Sequence, residues 1–225
     1  MFYQDKVVWI TGASSGTGEA LVYEFFKNGA KLIISARREN DLIRVKNACN
    51  DSENRVFVLP LDLENHDELP SKAEQAIKVF GRIDILFNNG GISQRSLAEN
   101  TIIDVDKKLM NINYFGSVII TKAVIPFMIK QKSGHIAVMS SLAGKFSIPL
   151  RTSYSASKHA LHGFFDGLRA ELYQYNIKVT IICSGYIKTE IAKNALTQTG
   201  EAQNATDPGI ENGMSPEYFA KKSLK

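Results

Sequence analysis

Val7-Val8-Trp9-Ile10-Thr11-Gly12-Ala13-Ser14-Ser15-Gly16-Thr17-Gly18 is the stretch on which the reading of this chain turns. Four consecutive apolar residues running into Thr-Gly have the pattern of a strand buried on both faces. The small residues Gly12 to Gly18 predict a tight turn. Ala20, Leu21, Tyr23, Phe25 and Phe26 then predict a helix that stops near Asn28-Gly29. Strand, glycine-rich turn and helix together make a phosphate cradle. Glycine lets the backbone approach a pyrophosphate, and the helix start supplies free N–H groups and a positive dipole end. Gly12, Ser14, Ser15, Gly16, Thr17 and Gly18 are therefore candidate cofactor contacts.

Outward from this unit, apolar runs and helical stretches alternate. Strands are expected at Leu32-Ile33-Ile34, Val56 to Leu59, Ile83 to Phe87, Ile136 to Met139 and Val179 to Ile182. Between them lie helical stretches near 39–50, a helix reaching about Phe80 before Gly81-Arg82, a long one over 104–132, and one from Tyr154 to about Tyr175. In the long stretch Asn113 is a mediocre interior residue, and Pro126 predicts a bend or boundary. Strands separated by helices imply a parallel sheet with right-handed crossovers. The expected fold is a doubly wound α/β Rossmann domain in three layers, one domain over 1–225. Residues 185–214, whose later part from Asn194 is rich in Thr, Asn, Gln, Gly and Ala, read as a flexible substrate flap.

The chain has 225 residues, 44% hydrophobic and 22% charged, with a formal net charge of +4, ordinary values for a globular domain. Lysines and arginines are scattered in short clusters such as Arg37-Arg38 and Lys221-Lys222, which leaves no nucleic-acid footprint. Cys49 and Cys183 stand far apart without ligand spacing, as in a reduced, cytoplasmic protein. Met1 to Lys6 leads straight into a strand without a signal peptide. No apolar run approaches the length of about 20 residues that spans a bilayer, so no integral membrane segment is expected.

The polar carboxyl ends of the strands carry the chemistry. Ligands of open parallel sheets bind there, and the end of the second strand faces the adenosine ribose. An acidic residue at that point would repel a 2′-phosphate. Ser35, Ala36, Arg37 and Arg38 stand there instead, which suits the phosphate of NADP(H), with NAD(H) still open. Asn88-Asn89-Gly90-Gly91 ends strand four and Ser140-Ser141 ends strand five. Tyr154 and Lys158 are four residues apart and share one helix face. A cation about 4 Å from the phenol, at an effective dielectric of about 20, would favour the phenolate by roughly 4 kcal/mol. That would bring the hydroxyl into working range near neutral pH. A Tyr–Lys pair at this spacing also arises by chance on exposed helices, and its neighbours decide the reading. A Ser–His hydrolase finds no G-x-S-x-G frame around Ser141, and His66, His135, His159 and His162 lack a nucleophile context. No metal-ligand spacing occurs either.

Over nearly its whole length the chain resembles the short-chain dehydrogenase/reductase family. Its Thr-Gly-x-x-x-Gly-x-Gly motif appears as Thr11 to Gly18. Asn-Asn-Ala-Gly appears as Asn88-Asn89-Gly90-Gly91, and the adenine-contacting Asp after strand three falls on Asp62, beside Leu63. The resemblance implies a catalytic Asn113, Ser141, Tyr154 and Lys158, with Ser141 preferred to Ser140 because it stands thirteen residues before Tyr154. It also implies cofactor contacts from Asn89, Gly90, Tyr154, Lys158, Ile187 and Thr189. Asn113 would further hold a backbone distortion and a proton-relaying water. Departures from the pattern are Thr17 for a branched aliphatic residue, Gly90 for alanine and Ser184 for proline, all expected to loosen the cofactor site. Ser35-Ala36-Arg37-Arg38 is similar to the dehydrogenase/reductase member 7 branch. The resemblance implies a carbonyl or alcohol substrate, NADP(H), a homodimer or homotetramer, and a final helix and strand truncated after Lys221-Lys222. The alternative is a catalytically silent nucleotide sensor on the same fold.

Overall fold

A computed structural model of the chain describes residues 3–224. Met1, Phe2 and Lys225, on which the readings of both chain ends partly rest, lie outside the described residues. The elements run β1 (Val7–Thr11), α1 (Gly16–Lys27), β2 (Lys31–Ser35), α2 (Glu39–Ala48), β3 (Val56–Val58), α3 (Leu69–Phe80) and β4 (Ile85–Asn88). They continue through α4 (Ile103–Met110), α5 (Ser117–Gln131), β5 (Gly134–Met139), α6 (Thr152–Leu172), β6 (Ile177–Ile182), α7 (Pro208–Glu211) and α8 (Pro216–Ser223).

The six strands form one parallel sheet in the order β3-β2-β1-β4-β5-β6. The order reverses between β1 and β4, and the crevice of a doubly wound sheet lies at that point. The strands are apolar on both faces because both are covered. Val7 and Trp9 pack with Leu86, Ile136 and Val179 under α3, α5 and α6. Val8 and Ile10 point the other way, with Leu32, Ile34 and Phe87, under α1, α2 and Phe219 of α8. Trp9 is fully buried, so its indole N–H needs a partner; it donates to Ser35 Oγ at 2.9 Å.

The long helical stretch differs from its expected form. Helices α4 and α5 are continuous through a π-helical turn at Asn111–Gly116, and α5 runs on past Pro126 to Gln131. Pro126 is exposed, so the Lys122 carbonyl that it cannot pair faces solvent, which makes the break cheap. The stretch Ile103–Gln131, 29 residues, is by length and composition apolar enough to cross a membrane, contrary to the sequence reading. Half of its most apolar 18-residue window is buried inside the fold.

The segment read as a mobile flap is packed. Ala192, Ala195 and Ile210 are buried, and isolated bridges join Ile187 to Met214 and Gln94 to Leu196. Leu196 pairs with Ser93 and Arg95 in the loop after β4, contacts that a reading from composition does not see.

Candidate active site

The turn after β1 is built by close approach. Gly12 has φ +65°, and a Cβ there would stand 2.6 Å from the Gly90 Cα. Asn89 braces the two loops: Nδ2 donates to the carbonyls of Thr11 and Gly12 at 3.1 and 3.2 Å, and Oδ1 accepts from the Thr17 hydroxyl at 2.9 Å. Thr11 Oγ1 accepts from the backbone N–H groups of Asn89 and Gly90. Thr17 therefore ties the site together where the sequence reading had it loosening the site.

Gly90 has a local reason as well. A methyl there would come within 2.6 Å of Leu63 Cδ1, and Leu63 is itself pressed against Gly116 of the π turn. Loop, leucine and π turn are fitted to one another, so the glycine makes room for a neighbouring side chain.

Ser15 precedes α1 without a side-chain cap, which leaves the first-turn N–H groups without that partner. An uncapped helix start over a cradle that a Cβ would fill fits a pyrophosphate. Arg44 of α2 fixes the turn from outside, donating to the Ser14 carbonyl at 3.0 Å and to both Glu19 oxygens at 2.7 and 2.9 Å. That pairing holds the Glu19 carboxyl below its usual range, while burial and then Glu19 push the Tyr23 phenol up to about 12. Nothing local in the sequence marks Arg44, because its partners lie one helix away.

Of the other candidates, Arg37 and Arg38 are exposed at the end of β2, and Arg38 is paired with Asp41. Arg37 makes no ion pair among the described residues. Asp62 turns the chain after β3, accepting from the Glu64 N–H at 3.0 Å. These three lie toward the β3 edge, away from the reactive cleft.

That cleft has a volume of about 230 Å³, is mostly apolar, and is lined by Thr17, Asn89, Ser141, Tyr154, Lys158, Ile187 and Thr189. Tyr154 and Lys158 share one face of α6. Ser141 ends β5 and caps a short 3-10 turn, accepting from the Ala143 N–H at 3.1 Å. Its neighbour Ser140 is buried and turned to α6, against His162 Nε2 at 3.0 Å and the Lys158 carbonyl at 3.3 Å. Both serines line the cleft, but Ser140 braces the helix whereas Ser141 is the one that hydrogen-bonds Tyr154. Asn113 lies behind, in the π turn. Its Oδ1 accepts from the Ile92 N–H at 2.8 Å, and Nδ2 donates to the Ile92 carbonyl and Ser157 Oγ at 3.0 and 2.9 Å. A π turn places an extra residue in the helix and is frequent at functional sites.

The electrostatics differ from the expected Tyr–Lys pairing. Lys158 Nζ stands 5.7 Å from the centroid of the Tyr154 ring and donates to the Met139 carbonyl at 2.8 Å. Burial pushes the Tyr154 phenol above its ordinary value, partly countered by a hydrogen bond with Ser141 and the charge of Arg151. Burial pushes the Lys158 ammonium down to about 8. A spacing of four residues put both groups on one face but could not fix which acceptor the lysine would choose.

Lys158 gives stability a pH dependence. The unfolded lysine keeps its proton to about 10.4, whereas the folded one gives it up near 8. Between those values the unfolded chain binds more protons, so this group's contribution to stability rises with pH. Below pH 8 the buried charge costs up to about 3 kcal/mol. Lys158→Met removes that cost at neutral pH but leaves the Met139 carbonyl unpaired. The melting temperature of the variant relative to wild type is therefore expected to fall steadily from pH 7 to 10, followed by thermal melts. A gap flat across that range would mean the lysine is not buried as a cation.

A family profile described as short chain dehydrogenase matches residues 6–200. The chain is 48% identical over 225 residues to the dehydrogenase/reductase SDR family protein 7-like of Anopheles gambiae, with 98% of this chain and 71% of that protein covered. It is 49% identical over 197 residues to the human dehydrogenase/reductase SDR family member 7, covering 85% of this chain and 58% of the human protein. Among solved structures, a short chain dehydrogenase/reductase from Burkholderia phymatum in complex with NAD superposes with TM-score 0.89 at 23% identity, over 100% of this chain and 86% of that one. At that identity the likeness is one of fold.

Proposed function

The chain belongs to the short-chain dehydrogenase/reductase family, and from that premise we propose that it interconverts a carbonyl and a secondary alcohol with NADP(H), Tyr154 carrying the proton. The observation that supports this reading is the convergence of Ser141, Tyr154 and Lys158 on one cleft that reaches the glycine turn through Thr17 and Asn89.

When bound, a nicotinamide cofactor supplies or accepts the hydride. The protein's part is to hold the substrate and move a proton. Tyr154 gives its phenolic proton to the carbonyl oxygen as general acid and takes it back from an alcohol as general base. Ser141 donates to the same oxygen and stabilises the charge that develops there. Lys158 places a cation in the cleft wall and would hold the ribose side of a bound cofactor. Asn113 fixes the backbone at Ile92, so the loop after β4 keeps its place beside α6.

The cofactor preference rests on Arg37, free of ion pairs among the described residues, with Arg38 beside it. A charge-assisted hydrogen bond to a 2′-phosphate contributes about 1.5–3 kcal/mol, or roughly a ten- to hundredfold preference over NAD(H). A homo-oligomer would cover the exposed Ile102, Ile103 and Phe115 at α4 and the π turn.

Thermal shift and turnover test the reading together. At about a hundredfold excess over its Kd, NADPH is expected to add some 2.7 kcal/mol and raise the melting temperature by about 5–10 °C, NADH at equal concentration distinctly less. NADPH oxidation should follow with members of a ketone panel. Equal shifts would remove the NADP(H) preference. Binding without turnover on any carbonyl would favour a nucleotide sensor.

A further inference from the structure

Among the described residues three charged side chains are buried: Asp84, Lys158 and Arg151. Asp84 is engaged at the amino end of the sheet by the Val7 N–H and by Arg82. Lys158 belongs to the cleft. Arg151 has no part in the chemistry above, yet an unpaired guanidinium at that depth would cost several kcal/mol. It is 6% exposed, lies three residues before Tyr154, and lines the same cleft.

Its partners come from two other segments. Nη1 donates to Ser93 Oγ at 2.5 Å and to the Gln94 carbonyl at 3.4 Å, both in the loop after β4. Nη2 donates to Asp207 Oδ2 at 3.2 Å, in the segment that folds over the cleft. Arg95 reaches the same oxygen at 2.7 Å, and the Gly209 N–H fills Oδ1 at 3.0 Å. Although its burial acts the other way, these donors hold the Asp207 carboxyl below its usual range. Backbone bonds stitch the same pieces: Leu196 N–H to the Ser93 carbonyl, Arg95 N–H to the Leu196 carbonyl, and Ser96 N–H to the Leu150 carbonyl. Leu150 itself has φ +66°, a left-handed conformation costing a non-glycine residue about 1–2 kcal/mol. The chain accepts that strain immediately before Arg151 turns inward.

We propose, resting on the oxidoreductase reading, that Arg151 and Asp207 are positioning residues: their ion pair latches the 185–214 segment over the cleft and holds a cation beside Tyr154. The charged and titratable groups around the pair are Tyr154 and Lys158 on α6, Asp207 from the folded-over segment, and Arg95 behind it. Two guanidinium groups on one carboxylate leave a net positive charge in that wall, and positive charge favours the phenolate. One ion pair thereby contributes both to holding the segment closed and to the readiness of the phenol.

The test uses Arg151→Met, Asp207→Asn and the double variant of the full chain, with two readouts that need no turnover. Tyrosinate absorbance during a pH titration, with the Tyr154→Phe trace subtracted, follows the phenol. The rate of tryptic cleavage at Lys188 and Lys193 follows the latch. Arg151→Met should move the Tyr154 titration to higher pH and speed cleavage about tenfold. Asp207→Asn should speed cleavage to a similar degree without raising that titration. The double variant should be cut no faster than the faster single one. If Arg151→Met does not fold, Arg151→Lys takes its place and is expected to keep the titration near wild type while cleavage still accelerates. A titration that stays put in Arg151→Met, or cleavage unchanged in Asp207→Asn, overturns the proposal. Should both readouts behave as stated in a protein that reduces no carbonyl, the oxidoreductase reading alone would fall; turnover with neither would sink the latch alone.

Discussion

Tyr154→Phe is expected to lower turnover of any carbonyl substrate by about a thousandfold while leaving cofactor affinity within about twofold of wild type. A positioned general acid contributes roughly 10²–10⁴ in rate, and phenylalanine keeps the ring while removing the only proton it can give. The fold should survive the change, because the lost partner is the Ser141 hydroxyl, half-buried at the cleft surface, and one such bond is worth about 1 kcal/mol. The electrostatics give the experiment a direction as well. Burial favours the neutral phenol, and Ser141 and Arg151 favour the phenolate. Carbonyl reduction needs the neutral form and alcohol oxidation the ionised one, so reduction should fail at high pH and oxidation at low pH in wild type. Neither limb should appear in the residual rate of the variant. Steady-state rates in both directions across pH provide the measurement, and a variant within tenfold of wild type would take Tyr154 out of the chemistry.

The sequence is legible wherever a local pattern sets the structure. Val7 to Ile10 announces a strand covered on both faces, and the period of two that sends Val7 and Trp9 to one core and Val8 and Ile10 to the other is built into any strand. The glycines after it, the alternation of strands and helices, and the spacing of Tyr154 and Lys158 carry the fold and the outline of the cleft for the same reason. Groups brought together from distant segments leave no such mark. Asn113 sits in a π turn whose Gly116 is packed against Leu63 from the loop after β3, and no stretch of sequence holds both. Arg44, Arg151 and Asp207 look like surface charges until their partners are placed. Lys158 choosing the Met139 carbonyl over the phenol is a matter of fractions of a turn, beyond what spacing resolves. The segment 185–214 misleads for the opposite reason: its alanines and polar residues have the composition of a loose loop, and its contacts with Ser93, Gln94, Arg95 and Arg151 come from distant parts of the chain.

Gly18→Ala sets two opposed effects against each other, and their magnitudes decide the outcome. In a helix interior alanine is better than glycine by up to about 1 kcal/mol. At Gly18, however, the new Cβ would stand 2.1 Å from the Gly12 carbonyl oxygen, 2.6 Å from Asn89 Nδ2 and 2.8 Å from the Gly12 carbonyl carbon. Two of these three atoms are backbone, so relief requires moving α1 away from the turn by a large part of an ångström. Overpacking of that kind costs about 1–3 kcal/mol and occasionally more. Because Asn89 also holds the Gly12 carbonyl and Thr17, the displacement runs through the whole cradle. The expected result is a net loss of about 2 kcal/mol, a fall in melting temperature of about 4–8 °C, and nucleotide binding weakened about a hundredfold. Gly163 and Gly167 supply the contrast, since a Cβ at either meets nothing within 4 Å on the exposed side of α6. There only the propensity gain remains, and alanine should raise stability by about 0.5–1 kcal/mol with binding unchanged. Thermal melts and nucleotide titrations of the three variants therefore separate close approach from helix propensity. A Gly18→Ala protein that melts and binds like the Gly163→Ala one would mean that strand and helix do not meet as tightly as the cradle requires, and the phosphate site would lose its physical basis.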